Sequence, residues 1–261
     1  MGTQPTALIT GASAGIGKEF AAIHAQRGGD VVIVARRADK LAELKTELER
    51  DHGIGVLVIA KDLSKPNAAA EVYQEVKAAG VEVEYLINNA GFGGRGKFHE
   101  REWDKDLTMI NLNIVALTAL TRHFLPDFVA RNRGRVLNVS STAGLLPGPL
   151  QAVYFASKAY VTSFSNAIAE ELHDTDVTVT ALLPGATESE FAATSGMDQT
   201  TLFAKTASAR SVAQDGYDAM LRGKLNVISG VGFAQRAMMA TLPITPKRAL
   251  LKQVRKMQEV S

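Results

Sequence analysis

Seven apolar, β-branched runs recur along this chain: Ala7 to Thr10, Val31 to Ala35, Val56 to Ala60, Tyr85 to Asn88, Arg135 to Val139, Val177 to Leu183 and Asn226 to Ile228. Longer helical patterns lie between them. The runs are continuous more than alternating, as in strands buried on both faces of a parallel sheet; a sheet with one wet face would place a polar residue at every second position. Turn signals such as Gly28-Gly29-Asp30, Gly53-Ile54-Gly55 and Asn132-Arg133-Gly134 punctuate the pattern. Strands alternating with helices predict a doubly wound α/β fold, a seven-stranded parallel Rossmann-type sheet with helices on both faces. The chain has 261 residues, 46% of them hydrophobic, which suffices for a single such domain over 1–261. Two stretches fall outside the rhythm. Residues 188–210, rich in Ala, Ser and Thr, read as a substrate lid, because unstructured loops of this length inside compact domains are usually functional. Residues 230–261 read as a C-terminal helical extension, with Pro243 and Pro246 between two helix-like segments and a basic amphipathic last helix suited to docking on the same subunit or a partner.

The first apolar run leads into Thr10-Gly11-Ala12-Ser13-Ala14-Gly15-Ile16-Gly17, and a plausible helix follows from Lys18 to Arg27. A strand, a glycine-rich turn and a helix start form an anion site, because a pyrophosphate reaches the backbone N–H groups and the helix dipole only where no Cβ intervenes. The spacing Gly-x-x-x-Gly-x-Gly differs from the usual dinucleotide fingerprint Gly-x-Gly-x-x-Gly. Far downstream, Tyr154-Phe155-Ala156-Ser157-Lys158 follows Ser140-Ser141. Residues four apart on a helix share a face, so the Tyr154 hydroxyl and the Lys158 ammonium fit one pocket, and Ser141 reaches it from a strand end. Such a pocket offers a carbonyl oxygen two donors and a cation. Ser140 faces the other way on the strand and reads as structural.

Together with Asn88-Asn89-Ala90-Gly91 and Pro184-Gly185, these motifs occur in the order found in the short-chain dehydrogenase/reductase family, which the chain resembles over roughly residues 6 to 228. The resemblance implies an NADP(H)-dependent oxidoreductase that transfers a hydride between nicotinamide and a ketone or secondary alcohol. Tyr154 would be acid in reduction and base in oxidation. Ser141 would polarise the carbonyl, and Lys158 would lower the Tyr154 pKa and hold the nicotinamide ribose. Asn111 in Met109-Ile110-Asn111-Leu112-Asn113 matches the asparagine that completes the catalytic set; Asn113 lies two residues on, and an asparagine inside a helix can simply bond the preceding turn.

The same resemblance places the cofactor against Gly11, Ser13, Gly15, Ile16 and Gly17, then Asp62 and Leu63 near the adenine, then Asn88, Ala90 and Gly91, and finally Pro184, Gly185 and Thr187. Asn88 and Asn89 also read as ties between sheet and loop. At the end of the second strand Ala35 occupies the place of an acid that would bond a ribose 2′-hydroxyl, and Arg36 follows. A guanidinium suits a 2′-phosphate, so NADP is favoured over NAD. Arg37 is read equally as phosphate ligand, as solvated, or as a cation over adenine. Phe92, Leu145, Leu146, Leu150, Phe191 and Phe203, with Phe233, outline an apolar substrate pocket. Two further readings remain open: a 3-oxoacyl thioester reductase and a non-catalytic NADP-sensing protein.

The balance of charge excludes other classes. A net charge of +2 with scattered Lys and Arg does not point to nucleic acid. The absence of cysteine excludes disulfides and thiolate chemistry, and the five histidines show no metal-ligand spacing. No run reaches the length of a membrane span, so a cytoplasmic location is expected. The myristoylation pattern at Met1-Gly2 and the sequon at Asn138 are read as silent, the first for its closeness to the first strand and the second for its place inside a buried one. The resemblance also implies a homodimer or homotetramer paired through the helices that start near Trp103 and Tyr154, where Ile114, Leu117, Leu120, Phe124, Val161, Phe164, Ile168 and Leu172 supply apolar surface.

Overall fold

The computed structural model describes residues 4–191, 195–196, 206–241 and 245–259. Seven strands, β1 (Thr6–Thr10), β2 (Val31–Ala35), β3 (Val56–Ala60), β4 (Val83–Asn88), β5 (Gly134–Val139), β6 (Val177–Pro184) and β7 (Asn226–Ser229), form one sheet in the order β3-β2-β1-β4-β5-β6-β7. Every pairing is parallel. The order reverses between β1 and β4, and the strands' carboxyl ends open there into a crevice, the place where such sheets take ligands.

The strands read as continuous apolar runs because both faces are covered. Ala7 and Ile9 of β1, with Val31 and Ile33 of β2, pack against Phe20 of α1 (Gly15–Gln26), Leu41, Leu44 and Leu48 of α2 (Ala38–His52), and Tyr217 of a later helix. Leu8, Val32 and Val34 face the other side. There they meet Val72 and Val76 of α3 (Ala68–Ala78), Leu120, Phe124 and Phe128 of α5 (Leu117–Ala130), and Ile168 of α6 (Ala152–Glu171). Successive side chains on a strand point to opposite faces, so each strand supplies both cores.

Helix α4 (Trp103–Ile110) runs into α5 through a π-helical turn, Asn111–Ala116. After β6 the chain returns at Thr187 and Ala207, which form a parallel bridge, and continues as α7 (Ala209–Leu221), α8 (Phe233–Ala240) and α9 (Lys247–Gln258). The apolar residues expected to be spare on α5 and α6 are mostly committed to the sheet: Leu117, Leu120, Phe124, Val161, Ile168 and Leu172 are all buried. The exposed large side chains in this region are others, including Phe98, Trp103, Leu107, Val115 and Tyr160.

One polar cluster under α1 has a clear thermodynamic consequence. His24 is fully buried, with Nδ1 2.7 Å from the Tyr217 hydroxyl and Nε2 2.8 Å from the Pro5 carbonyl oxygen. A carbonyl only accepts, so Nε2 carries the proton and Nδ1 accepts from Tyr217. Burial pushes the imidazole down to about 4, against the raising effect of the Pro5 and Asp30 contacts. The unfolded chain therefore binds more protons than the folded one below the ordinary histidine value of about 6.5. Stability should be unaffected by this group above that pH and fall progressively toward pH 4, by up to about 3 kcal/mol. Urea unfolding of wild type and His24→Gln between pH 7.5 and 4.5 checks this; identical pH slopes would rule out His24 as the source.

Candidate active site

The site is assembled from the carboxyl ends of β1, β2, β4, β5 and β6. At the first of these, Thr10 acts as a knot: its hydroxyl accepts from the backbone N–H groups of Asn89 and Ala90, each at 3.0 Å, and its carbonyl accepts from Asn89 Nδ2 at 2.9 Å. These bonds draw the loop after β4 onto the glycine-rich turn. Gly11 has φ +68°, and a Cβ there would lie 2.8 Å from Asn89 Nδ2; at Gly17 a Cβ would lie 2.3 Å from the Gly11 carbonyl oxygen. The turn accepts only glycine at these two points, and the first turn of α1 is held close to it.

A cavity of about 660 Å³ runs from this turn across the sheet ends. Gly11, Ser13, Gly15 and Ile16 line one end, with Arg36, Arg37, Asp62 and Leu63 beyond them. Gly17 serves the packing just described and is not among the lining residues. The donor set suits a dinucleotide carrying an extra phosphate: backbone N–H groups at a helix start, two guanidinium groups, and no carboxylate at Ala35. The two arginines differ. Arg37 Nη2 donates to the Ser13 hydroxyl at 3.1 Å and forms an ion pair with Glu190 at 2.9 Å. Arg36 is exposed and forms no ion pair among the described residues. Burial works to raise the Asp62 carboxyl, but two hydrogen bonds from Ser64 and the charges of Arg36 and Lys65 hold it below its usual value.

Ala90, Gly91, Pro184, Gly185 and Thr187 line the middle of the cavity. Asn88 does not. It is buried in the sheet, donating to Thr121 Oγ1 at 3.1 Å and Asn138 Oδ1 at 2.9 Å, and so belongs to the tie between β4, β5 and α5. Thr187 is buried and donates to the Gly185 carbonyl at 3.0 Å.

At the far end Tyr154, Lys158 and Ser141 converge. Lys158 Nζ donates to the Val139 carbonyl at 2.8 Å and lies 5.9 Å from the centre of the Tyr154 ring. Ser141 caps a short 3-10 turn, its hydroxyl accepting the Ala143 N–H at 3.1 Å and donating to the Pro184 carbonyl at 3.4 Å, and it stands close enough to Tyr154 to favour its phenolate. Ser140 turns away, donating to the Lys158 carbonyl at 2.8 Å. Burial dominates both titratable groups: it pushes the Tyr154 phenol up to about 12, opposed by Ser141, and the Lys158 ammonium down to about 8. The expected lowering of Tyr154 by Lys158 does not appear: desolvation of the phenolate dominates, and the opposing influence comes from Ser141, not Lys158.

Asn111 is not brought to this group. The buried positions on this helical stretch are Asp106, Met109, Asn113, Ala116, Leu117 and Leu120, and Asn111 lies two residues from Met109 and from Asn113, on the opposite side of the helix. Asn113 takes the inward place. Its Nδ2 donates to the Phe92 carbonyl at 3.0 Å and to Ser157 Oγ at 3.1 Å, and its Oδ1 accepts the Phe92 N–H at 3.1 Å. A Cβ on Gly91 would lie 3.0 Å from Asn113 Oδ1 and 3.4 Å from Lys158 Nζ, so Asn113 stands beside the site. The period of apolar residues on either side of it, Met109, Leu117 and Leu120, is the sequence signal that singles it out.

Among the substrate residues read from the sequence, Phe92, Leu146 and Phe191 line the cavity, and the Phe191 ring centre is 5.3 Å from that of Tyr154. Leu145 and Leu150 are not among the lining residues; Leu150, at φ +67°, instead offers its carbonyl to the Gly96 N–H. Phe203 and most of the expected lid lie outside the described residues, as does the Phe233 side chain. Residues that the sequence did not indicate complete the wall, among them Gln151, Phe155 and the inner face of α9.

Comparison with known proteins gives this geometry a context. Residues 5–200 match the family model described as short chain dehydrogenase. The chain is 34% identical over 188 residues to the very-long-chain 3-oxoacyl-CoA reductase of Homo sapiens, covering 68% of this chain and 58% of that protein. It is 32% identical over 225 residues to a 7beta-hydroxysteroid dehydrogenase of Mediterraneibacter gnavus, covering 85% of each. Several curated relatives are thus longer, and this chain spans about three-fifths of their length. Among solved structures, a short-chain dehydrogenase from Sphingobium yanoikuyae in complex with NADPH superposes with a TM-score of 0.83 at 30% identity, covering 98% of this chain and 99% of that one.

The lowered Lys158 value leads to a measurable pH dependence. The ammonium loses its proton as the pH rises past about 8, and a neutral amine would be a weaker partner for the ribose hydroxyl that the resemblance assigns to Lys158. NADPH affinity, followed by fluorescence titration, should weaken progressively from pH 7.5 to 9.5. A flat profile would remove the Lys158 ammonium from cofactor binding.

Proposed function

Because this chain belongs to the short chain dehydrogenase family, we propose that it is an NADP(H)-dependent oxidoreductase that moves a hydride between nicotinamide and a ketone or secondary alcohol with an apolar body. The observation that carries the proposal is the meeting of Tyr154, Ser141 and Lys158 at one end of a cavity whose other end is the glycine-rich turn. When bound, the cofactor supplies the hydride in reduction and accepts it in oxidation.

Gly11, Gly15 and Ile16 hold the pyrophosphate end, and Arg36 with Ser13 meets the 2′-phosphate, Arg36 being the guanidinium not already paired. Asp62 and Leu63 flank the adenine. Ala90 and Gly91 border the middle of the dinucleotide, Pro184, Gly185 and Thr187 the nicotinamide, and Lys158 the ribose. Burial keeps the Tyr154 proton in place at neutral pH, which suits its delivery to a ketone oxygen that Ser141 orients. The reverse reaction needs the phenolate, so alcohol oxidation is favoured as the pH rises. Asn113 is the positioning residue for this end, bridging Phe92 and Ser157.

Similarity to the 3-oxoacyl-CoA reductase favours a second reading, in which the ketone belongs to a 3-oxoacyl thioester. A panel of NADPH oxidation assays with bulky ketones, steroid ketones and acetoacetyl-CoA, run in parallel with NADH, separates the two. Residues 188–210 are assigned as the lid, and Phe191, near its start, rests on Tyr154. No helix among the described residues is long and apolar enough to cross a membrane, in keeping with a cytoplasmic enzyme. A second copy of this chain covers the exposed Trp103, Leu107, Val115 and Tyr160, giving a homodimer or homotetramer.

Tyr154→Phe should keep NADPH affinity and lose about 10²- to 10⁴-fold in ketone reduction; near wild-type turnover would refute the acid role. Arg36→Ala should weaken NADPH about ten- to a hundredfold and leave NADH nearly unchanged, and equal tightness of wild type for both cofactors would overturn the NADP assignment. Light scattering at micromolar concentration should report a dimer or larger, and a monomer there would reject the assembly.

A further inference from the structure

Three cations line the cavity beyond the glycine-rich turn, Arg36, Arg37 and Lys61, and they are not equally available. Lys61 is paired with α3, its Nζ 3.0 Å from Glu71 and 2.8 Å from Glu75. Arg37, at the head of α2, is engaged by a residue that itself lines the cavity: its Nη1 donates to Glu190 Oε1 at 3.1 Å, and its Nη2 lies 2.9 Å from Glu190 Oε2. Two parallel contacts of this kind are the fork geometry that a guanidinium offers to a carboxylate and to a phosphate alike. The other acid that lines the cavity, Asp62, is turned into its own loop, where Oδ1 accepts from the Ser64 N–H at 3.0 Å and from the Ser64 hydroxyl at 2.7 Å. Glu190 is thus the lining carboxylate that takes an arginine.

The backbone around Glu190 is held in place on both sides. Before it, Thr187 and Ala207 form the parallel bridge, and the Glu188 N–H donates to the Ala207 carbonyl at 2.9 Å. Ser189 packs on the glycine-rich turn, since a Cβ on Gly15 would lie 3.0 Å from Ser189 Cβ. After it, the Phe191 N–H donates to the Ser189 hydroxyl at 3.3 Å, and the Phe191 ring rests on Tyr154. Arg37 Nη2 also donates to the Ser13 hydroxyl at 3.1 Å, so its guanidinium bridges the turn and Glu190. The carboxylate is therefore carried to the end of the cavity where the two arginines and Ser13 meet.

We propose that Glu190 is a selectivity residue that competes with the 2′-phosphate of the cofactor for Arg37, so that the preference for a phosphorylated dinucleotide is weaker than two free arginines would give. This rests on the NADP(H) reading above. With Arg37 paired, Arg36 meets the 2′-phosphate alone. For Arg37 to join, its contact with Glu190 must break, and a carboxylate that stays nearby repels the phosphate. A 2′-hydroxyl carries no charge, so it neither needs Arg37 nor is repelled by Glu190. Specificity is a difference between two affinities, and an acid set against one ligand changes that difference while leaving the other affinity alone. The Arg37–Glu190 pair is partly exposed, so solvent and salt screen it and its effect is several-fold.

The test is calorimetry on the purified full chain with adenosine 2′,5′-bisphosphate and adenosine 5′-monophosphate, nucleotides that differ only in the 2′-phosphate and need no turnover. Glu190→Gln should tighten the bisphosphate by about three- to tenfold and change the monophosphate by less than about twofold. Glu190→Ala, which leaves no amide to bond Arg37, should do the same. In an Arg37→Gln background the gain from Glu190→Gln should shrink, because the guanidinium under competition is gone. Fluorescence titrations with NADPH and NADH should repeat the pattern. Proportional changes for both nucleotides would make Glu190 a tie that holds the chain on the turn; that result, no change for either nucleotide, or a full gain that persists without Arg37, would overturn the competition while wild type still prefers the bisphosphate. Wild type and every variant binding the two nucleotides equally would instead overturn the NADP(H) reading and the role of Glu190 with it.

Discussion

The contact on which the site depends is the hydrogen bond from the buried Lys158 ammonium to the Val139 carbonyl at the end of β5. It fixes the rotation of α6 about its axis relative to the sheet. Once that rotation is set, Tyr154 one turn earlier must face the cavity, and Ser141, two residues past Val139, must meet it. Burying a cation costs free energy unless its donors are satisfied, and here the backbone uses one of its three donors, in a residue that lines the cavity. The carbonyl that accepts from it belongs to a strand end, where the ladder to β6 is finishing and a backbone group is available. Natural sites often carry such incompletely compensated groups at the expense of stability.

The same burial governs the chemistry. Removing Tyr154 and Lys158 from water penalises the charged form of each, so the phenol is held protonated and the amine moves toward neutrality. The two shifts go in the direction that leaves a proton on the tyrosine and a labile one on the lysine near physiological pH. The π-helical turn at Asn111–Ala116 adds the third constraint. Such turns inside helices are frequent at functional sites, and this one carries Asn113 into contact with Phe92 and Ser157, bracing the loop that carries Gly91 against α6.

Much of this was legible in the residues. The seven runs coincide with the seven strands to within one or two residues at their ends, because a strand covered on both faces must be apolar throughout and nothing else in the chain has that pattern. The glycine-rich turn was legible because its backbone approaches leave no room for a Cβ at Gly11 or Gly17. Tyr154 and Lys158 were legible because both ride on one helix, where spacing fixes direction. Less legible were groups whose direction depends on packing. Asn111 and Asn113 have the same side chain, and only the face buried against the core separates them. Arg36 and Arg37 are adjacent and chemically identical, and it is Glu190, over 150 positions away, that engages one of them.

By itself the sequence determined what local geometry and composition control: an α/β sheet buried on both faces, a tight glycine-rich turn at its first strand, and a tyrosine and lysine on one helix face with a serine nearby. The tertiary structure alone decided which asparagine stands beside them, which arginine is engaged by a distant carboxylate, and that the last helix turns its apolar stripe onto Tyr154. The physical reason is range. Periodicity and turn stereochemistry act within a few residues and are written in consecutive positions, whereas the Gln151–Gln258 and Arg37–Glu190 contacts join segments more than a hundred residues apart, and their existence follows only from how the whole core packs.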